Sequence, residues 1–495
     1  MDEKISKNSK QIFVVSSAEG SFGWRHENDR GLSWWITGLF IVGQMVGVGI
    51  LAMPSAMIDA DLPAGIVTTI LGALLSGYTG VQLGENWTML QQRWPEYRHH
   101  SRKPYPAMGY RAMGKIFQHA VSVCVDFTQF SVAVVYLLLV SQNLETFLKT
   151  FFSVKVDYCL LMLIVAVFFL PITFLKSPKE FWFTMVAAMV LTSAAIVLMI
   201  IGSSVDYETC HPVATYNPIK FQKFFLAFGA IMFSYGGHSA FPTIQHDMKI
   251  PSQFNRSVYL AYGIIVVMYL PVCVLSYQVY GNSLQSSIIL SLQTKWIQQT
   301  VNVIITFHVI MALTLVFNPI NQEMEEIFKL PQSFGWKRVV TRTLMMVAVV
   351  FTAETVPTFG VILDLSGGSA TTLLTMVFPG LFNLYLSVAH KKAGGKENTD
   401  HKASFYEVLT ETPKIRLCAN LLVIAFGLVG GVSATWAAID EMVSTNFVYP
   451  CYVAPFIKNY TQGVVDTEGH TNCCGLYQNI SIYGDPKQHC AAYYN

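Results

Sequence analysis

Charged residues are scarce in this chain of 495 residues, since Asp, Glu, Lys and Arg make up only 13% of it. A soluble domain carries nearer a quarter, whereas here 53% of the residues are hydrophobic and the mean hydropathy is +0.43. The net charge of +2 and the lack of a basic patch mixed with aromatic residues argue against a nucleic-acid partner. The sequence also lacks a nucleophile elbow, a redox Cys-x-x-Cys and a set of zinc ligands. We therefore expect a protein of the lipid bilayer that is not an enzyme and has no metal or organic cofactor.

Long apolar runs are what the chain does have. A helix needs about 20 apolar residues to cross a bilayer. We predict eleven such spans, at residues 33–58, 62–87, 119–146, 157–175, 180–204, 222–245, 257–281, 297–320, 338–356, 358–388 and 415–440. With the polar N-terminus in the cytoplasm, most of the 32 Lys and Arg residues fall on the cytoplasmic side, which is the positive-inside pattern. The pattern predicts a cytoplasmic segment 1–32, a membrane domain 33–440 and a tail 441–495 on the opposite side.

The tail combines cysteines with glycosylation sequons. The sequons begin at Asn459 and Asn479, and such motifs are used only on the lumenal or extracellular side. The cysteines predicted to lie outside are candidates for disulfides: Cys210, Cys451, Cys473, Cys474 and Cys490. Five cysteines cannot all pair with one another, so one is expected to be free or to bridge another chain. The alternative is an unstructured tail with reduced cysteines.

Two of the predicted spans are interrupted by glycine and proline, residues that weaken a helix. The first interruption runs from Gly47 to Pro54 and the second from Ser234 to Pro242. In hydrocarbon a broken helix is tolerated only where its backbone lines a cavity, and paired breaks in the two halves of a chain point to a transporter's substrate site. The alternative is that these glycines serve only close helix packing.

The backbone at the two interruptions is suited to a zwitterion. Free N–H groups at a helix start attract a carboxylate, and unwound carbonyls receive an ammonium group. Neither interruption contains an Asp, Glu, Lys or Arg, which favours substrates with neutral side chains. The predicted substrate-binding residues are Gly47, Val48, Gly49, Ile50, Ser234, Tyr235, Gly236 and Gly237, together with Thr128 and Thr306 in the third and eighth spans.

Two titratable residues inside spans are candidates for binding a coupling proton. His238 lies within the second interruption, and the pKa of histidine lies close to physiological pH. Asp126 lies in the third span, where an acid often marks an ion or proton path. Structural readings stay open for both: His238 could hydrogen-bond the unwound backbone, and Asp126 could face water near a helix end.

Three blocks of sequence resemble the amino acid/auxin permease family. They are Gly47-x-Gly49-Ile50-Leu51-x-x-Pro54, the run from Tyr105 to Gly114, and the run from Ser234 to Pro242 followed by Met248. The last block is most similar to the branch of vesicular inhibitory and vacuolar amino acid transporters. The resemblance covers roughly residues 30–440. It implies an all-α membrane fold of five-plus-five inverted repeats with broken helices 1 and 6 and one extra helix, and movement of amino acids driven by protons or sodium.

The expected coupling ion is the proton rather than sodium. Sodium-coupled members of the family are similar in having an Asn before the first interruption and a Thr in the eighth span. Here those positions are Gly43 and either Ile310 or Ala312, none of which offers a side-chain oxygen to a hard cation. We therefore expect proton-coupled transport of small neutral amino acids across the plasma membrane or a lysosomal or vesicular membrane. A membrane amino acid receptor or nutrient sensor with little transport remains the alternative, and the oligomeric state is left open.

Overall fold

A computed structural model describes residues 12–14, 23–25, 31–98, 101, 103–174, 182–330, 335–394, 396–445, 449–453, 456, 464–466 and 469–494. The main helices are α1 (Trp34–Ala60), α2 (Leu62–Arg93), α3 (Pro104–Met113), α4 (Lys115–Phe152), α5 (Tyr158–Thr173), α6 (Trp182–Cys210), α7 (Phe221–Ser234), α8 (Phe241–His246), α9 (Phe254–Tyr280), α10 (Lys295–Ile327), α11 (Trp336–Thr355), α12 (Phe359–Ser366), α13 (Phe378–Ala393), α14 (Phe405–Glu411), α15 (Lys414–Asp440) and α16 (Pro486–His489). Wide π-helical turns, Gly367–Thr371 and Leu373–Val377, join α12 to α13. Strands form two short antiparallel pairs, β1 (Ile12–Val14) with β2 (Gly23–Arg25) and β3 (Val464–Asp466) with β4 (Ala492–Tyr494).

Within these ranges, eight helical segments are long and apolar enough to cross a membrane. They are Trp34–Ala60, Leu62–Arg93, Lys115–Phe152, Val186–Val213, Pro251–Ser283, Lys295–Ile327, Phe359–Ala393 and Lys414–Val443. Helices also lie at the other three predicted spans, but α5 has only 16 residues, the sixth span is divided into α7 and α8, and α11 carries arginines. The all-helical membrane class is therefore observed, while the count of eleven spans and the inverted repeat stay predictions.

The prediction of a broken first helix is wrong, because α1 is continuous from Trp34 to Ala60. Its glycines instead allow neighbouring helices to pack closely against α1. A Cβ on Gly47 would lie 2.2 Å from His308 Nε2, and a Cβ on Gly49 would lie 2.9 Å from the Cα of Ser234. Pro54 lies inside the helix and supplies no N–H, so only the carbonyl of Ile50 loses its helical donor. The other reading of these glycines, helix packing, holds for α1.

Helix α1 lies at the centre of the fold. It packs against α6, α7 and α9, while α10 packs against α4 and α6. The side chains of Ile41, Val42, Ile50 and Leu51 are all 0% exposed. Burial of most of this helix places it in the interior of the bundle, with the other helices arranged around it.

The arginines of α11 share a carboxylate partner on α10. Glu325 Oε1 accepts hydrogen bonds from Arg338 Nε at 2.8 Å and from Arg342 Nε at 2.7 Å. Arg342 is 1% exposed and also donates to the carbonyl of Thr173 at the end of α5. Buried charges persist in proteins only when they are paired and hydrogen-bonded. This pairing explains how a helix with so weak an apolar signal packs against the bundle.

The tail is joined to the helices by disulfides. Cys159 pairs with Cys451, Cys210 with Cys474, and Cys473 with Cys490. The expectation of one unpaired outer cysteine is therefore wrong, because Cys159, at the first turn of α5, is the sixth partner. Among the residues that the structure describes, the free cysteines are Cys124, Cys273 and Cys418.

A buried glutamine holds the tail against the loop before α10. Gln293 is 0% exposed. Its Nε2 donates to the carbonyl of Ile480 at 3.1 Å, and its Oε1 accepts from the N–H of Ile482 at 2.7 Å. The two Thr471 contacts to the carbonyls of Leu290 and Leu292, at 3.0 and 2.9 Å, add to this attachment. The described residues 469–494 of the tail are thus folded against the loop before α10.

Candidate functional site

The second predicted interruption is present, between the end of α7 at Ser234 and the start of α8 at Phe241. In place of the helical pattern, the N–H of Gly236 donates to the carbonyl of Phe233 at 3.0 Å and the N–H of Gly237 to that of Tyr235 at 3.1 Å. Pro242 occupies the first turn of α8, where its missing N–H costs nothing. The chain therefore turns through six non-helical residues in the interior of the bundle.

Neighbouring atoms leave little room for a side chain at either glycine of this break. A Cβ on Gly236 would lie 2.4 Å from Thr371 Cγ2, in the wide turn between α12 and α13. A Cβ on Gly237 would lie 2.8 Å from Met45 Cγ on α1. The break is therefore enclosed by α1 on one side and by the α12–α13 turn on the other.

The predicted residues of α1 do meet those of the break. Ser234 Oγ donates to the carbonyl of Ala230 at 2.8 Å and lies 3.3 Å from the carbonyl oxygen of Gly49. Val48 and Ile50 are buried at 4% and 0% exposure. The structure thus brings the two predicted groups of substrate-binding residues together, although the α1 group belongs to a regular helix.

Tyrosines from α9 support the break and were not identified from the sequence. Tyr269 Oη donates to the carbonyl of Met45 at 3.3 Å and to that of Ser234 at 3.2 Å. Tyr262 Oη donates to the carbonyl of Tyr235 at 3.4 Å. Tyr262 and Tyr269 are seven residues apart, so they share one face of the helix. That spacing is the feature of the sequence that could have identified them. The hydroxyl of Tyr235 is buried and has no hydrogen-bond partner in the described part of the chain.

His238 turns away from α1 and faces α2. Its Nε2 lies 3.1 Å from the carbonyl oxygen of Ser76 and 3.2 Å from Thr79 Oγ1, and its ring stacks on Phe241 with 4.7 Å between centroids. A carbonyl can only accept, so Nε2 carries the hydrogen. His238 therefore anchors the break to α2, and its bonds run to another helix rather than to the unwound backbone.

The other predicted residues are not brought to the break as one group. Thr306 Oγ1 accepts a hydrogen bond from Asn143 Nδ2 at 3.2 Å. Asn143 and Thr128 both lie on α4, and their separation of 15 residues corresponds to roughly 22 Å of helix. Thr128 is 5% exposed and its hydroxyl has no partner among the described residues. Asp126 lies within electrostatic range of Glu323 and Lys103, near the C-terminal part of α10.

A cavity of about 400 Å³ lies elsewhere, at the ends of α2, α8 and α13. Its lining is polar and includes Glu85, Gln245, His390, Lys391 and Arg416. Arg416 Nη2 donates to Glu85 Oε2 at 2.6 Å and to Asn383 Oδ1 at 2.7 Å. None of the predicted substrate-binding residues lines this cavity.

Comparisons with known proteins identify the family of the chain. A family model described as transmembrane amino acid transporter protein matches residues 30–409. Two proteins of Arabidopsis thaliana, amino acid transporter AVT1B and amino acid transporter AVT1C, are each 24% identical to the chain over 413 and 407 residues. These alignments cover 81% of the chain and 70% and 68% of the two relatives.

One solved structure, that of MhsT in complex with L-phenylalanine, is similar in fold. It superposes with a TM-score of 0.53 at 10% sequence identity, over 83% of this chain and 100% of that chain. At that identity the likeness is one of fold alone.

Proposed function

Because the chain belongs to the transmembrane amino acid transporter family, we propose that it is a secondary active transporter of small neutral amino acids that works by alternating access and is coupled to protons. The observation that carries this proposal is the break between Ser234 and Phe241, buried at the centre of the bundle against α1. Irregular backbone at that depth is costly unless it binds something polar or lines a cavity.

The preference for neutral side chains rests on the surroundings of the break. The described side chains that contact it include those of Met45, Thr79, Phe241, Tyr262, Tyr269 and Thr371, none of them charged. The carbonyls of Tyr235 and Ser234 are held by tyrosine hydroxyls and so remain oriented for an ammonium group. Without a fixed charge, the site has nothing to compensate a charged substrate side chain.

Two features support proton coupling: the chain lacks the side-chain oxygen ligands expected of a sodium site, and it has titratable residues inside its spans. Gly43, Ile310 and Ala312 give no side-chain oxygen at the positions where sodium-coupled relatives have Asn and Thr, and cations such as sodium need oxygen ligands. Asp126 and His238 remain the proposed proton-binding groups from the sequence.

The proposed topology has the N-terminus in the cytoplasm and the tail in the lumen or outside the cell. Three disulfides that involve the tail support this side, because disulfides persist in oxidising compartments. Asn479 lies in the described part of the tail, whereas Asn459 lies outside the described residues. The plasma membrane and a lysosomal or vesicular membrane both fit this topology.

A screen in proteoliposomes tests the proposal. Purified protein is reconstituted and the uptake of each of the twenty amino acids is measured at about pH 5.5 and about pH 7.5, on either side of the ordinary histidine pKa, with choline replacing sodium. We expect uptake of neutral amino acids that rises as the external pH falls and that persists in choline. Strict dependence on sodium would contradict proton coupling, and binding without counterflow of labelled amino acid would favour a receptor.

A further inference from the structure

A second histidine, His308 of α10, lies against α1 at the site. It is 1% exposed. Its Nδ1 lies 2.8 Å from Thr192 Oγ1 and 3.3 Å from the carbonyl oxygen of Ala188, both on α6. Its Nε2 faces Gly47, so closely that a Cβ there would lie 2.2 Å away. The ring thus bridges α6 and α1.

The hydrogen bonds assign the tautomer of this histidine. The hydroxyl of Thr192 donates its one hydrogen to the carbonyl of Ala188 at 3.0 Å, which leaves the Thr192 oxygen as an acceptor for the imidazole. The carbonyl of Ala188 can only accept. Both partners therefore require hydrogen on Nδ1, and Nε2 is left with a bare lone pair. In the described part of the chain, Nε2 is buried and has no hydrogen-bond partner.

We propose that Nε2 of His308 is the proton-binding atom that couples proton movement to the position of α1, which rests on the proposed function of proton-coupled transport. The lone pair takes a proton from water on the side to which the site is open and gives it up on the other side. On uptake an N–H bond forms as an O–H bond of hydronium breaks, and on release the N–H bond breaks as water takes the proton. The ring alternates between neutral and imidazolium forms once in each transport cycle.

The packing in this structure fits only the neutral form. Nε2 is buried against Gly47 and no hydrogen-bonding atom in the described part of the chain lies within its reach, so a new N–H at Nε2 would have no acceptor. A buried unpaired charge is costly. Protonation therefore favours arrangements in which α1 moves off α10 and water reaches the ring. A proton can shift the conformational equilibrium only by such a difference in affinity between two states.

No charged group contacts the ring among the described residues. Its neighbours are Gly47 from α1 and Ala188 and Thr192 from α6, and Thr306 on its own helix bonds Asn143 of α4. The charge of the ring is thus not cancelled by a resident carboxylate. An amino acid bound at the neighbouring break brings a carboxylate whose negative charge compensates the ring through space, without direct contact, and this would tie proton binding to substrate binding.

His308→Asn tests the proposal, because the Asn amide can keep a donor to Thr192 and removes the titrating nitrogen. Proteoliposomes are loaded with the neutral amino acid that the wild-type protein takes up fastest in the screen. Two activities are compared: exchange of labelled for unlabelled amino acid, and accumulation driven by a pH gradient. We expect the variant to continue exchange but to lose the stimulation by the gradient. His238→Gln, which keeps the donor to Ser76, serves as the competing variant.

Three results would overturn the proposal. The first is gradient-driven accumulation by His308→Asn at the wild-type level. The second is loss of coupling in His238→Gln while His308→Asn remains coupled. The third is loss of exchange in folded His308→Asn, which would make the ring a substrate contact. Absence of exchange in the wild-type protein would instead remove the proposed function itself, and wild-type exchange without any gradient stimulation would remove both coupling and this proposal.

Thr192→Val decides the matter if His308→Asn does not fold. The valine cannot accept from Nδ1–H, so the imidazolium loses a partner and the pH midpoint of uptake should move toward acid. The matched control is Ser193→Ala, which removes a hydroxyl whose hydrogen bond among the described residues is to the carbonyl of Met189 in its own helix, at 2.8 Å. A midpoint that is the same in Thr192→Val, Ser193→Ala and wild type would overturn the proposal.

Discussion

Enlarging Gly49 is expected to force α1 away from the break. A Cβ at this position would lie 2.9 Å from the Cα, Cβ and Oγ of Ser234, and ordinary contacts begin at 3.4 Å. Since one of these atoms belongs to the backbone, the two helices must separate by about 0.5 Å, which is 3.4 minus 2.9 Å. Overpacking of this kind costs about 1–3 kcal/mol, and alanine returns about 0.5–1 kcal/mol of helix propensity relative to glycine.

We therefore expect Gly49→Ala to lower the free energy of unfolding by up to about 2 kcal/mol and to reduce amino acid exchange about tenfold, as sub-ångström misplacement does in preorganised sites. Gly49→Val should abolish exchange. Gly237→Ala should be milder, because its contacts are to the flexible Met45 side chain and to the Phe241 ring. Gly237→Val should abolish exchange.

Gly263→Ala in α9 is the matched control, since nothing lies within 4 Å of a Cβ there. It should gain up to about 1 kcal/mol of stability and exchange at the wild-type rate. Counterflow in proteoliposomes and thermal unfolding of the purified variants give the two measurements. Exchange by Gly49→Ala at the rate of Gly263→Ala would refute the assignment of this contact to the substrate site.

Three further outcomes are expected. Asn459→Gln combined with Asn479→Gln should abolish the gel shift produced by peptide-N-glycosidase, and a tail cleaved by protease only from the cytoplasmic side would contradict the proposed topology. Arg342→Gln should lower the free energy of unfolding by about 3 kcal/mol, because it breaks a buried ion pair. Lys391→Gln, at an exposed pair, should change the free energy of unfolding by less than about 1 kcal/mol. Equal effects in thermal unfolding would contradict the pairing of Arg342 with Glu325. Burial is the main cause that lowers the pKa of His470, so its contribution to tail docking is complete above the ordinary histidine pKa and declines as the pH falls below that value. Hydrogen exchange in residues 469–494, corrected for the intrinsic rate, should therefore be faster at about pH 5.5 than at about pH 7.5. His470→Gln should remove that difference.

Glycine and proline predicted one break and mispredicted the other for a physical reason. In the second interruption Gly236 and Gly237 adjoin each other and Pro242 begins a new helix, so the local sequence itself ends α7. In α1 the glycines are separated, and their use depends on what lies opposite. Those neighbours, Ser234 and His308, come from other helices far along the chain. A sequence without contact information cannot distinguish a glycine that unwinds a helix from one that admits a neighbour.

The disulfides illustrate the same limit at the edge of a span. The prediction that the tail cysteines lie on the non-cytoplasmic side is consistent with their pairing. Cys159 was assigned to the fourth span, so it was not counted among the outer cysteines. In the structure Asp157 caps α5 and Cys159 lies in its first turn, within reach of the tail. A predicted span that began three residues further on, at residue 160, would have placed Cys159 outside it and completed the set. Similarly, the pair Tyr262 and Tyr269 was visible as a spacing, but nothing in the sequence said which helix it would face.

The two long disulfides impose a delay on biosynthesis. Cys159 and Cys451 are 292 residues apart, and Cys210 and Cys474 are 264 residues apart. At about 5–20 residues per second, Cys159 waits roughly 15–60 s for its partner to be made. Over that interval the growing chain displays two thiols that have no correct partner and depend on oxidoreductases to keep them from pairing wrongly. A product truncated after α15 would hold all eight membrane-length helices of the described residues. It would still differ chemically from the finished protein, because Cys159 and Cys210 would lack their partners. Thiol-directed quality control could therefore recognise completion of the chain by its last translated segment.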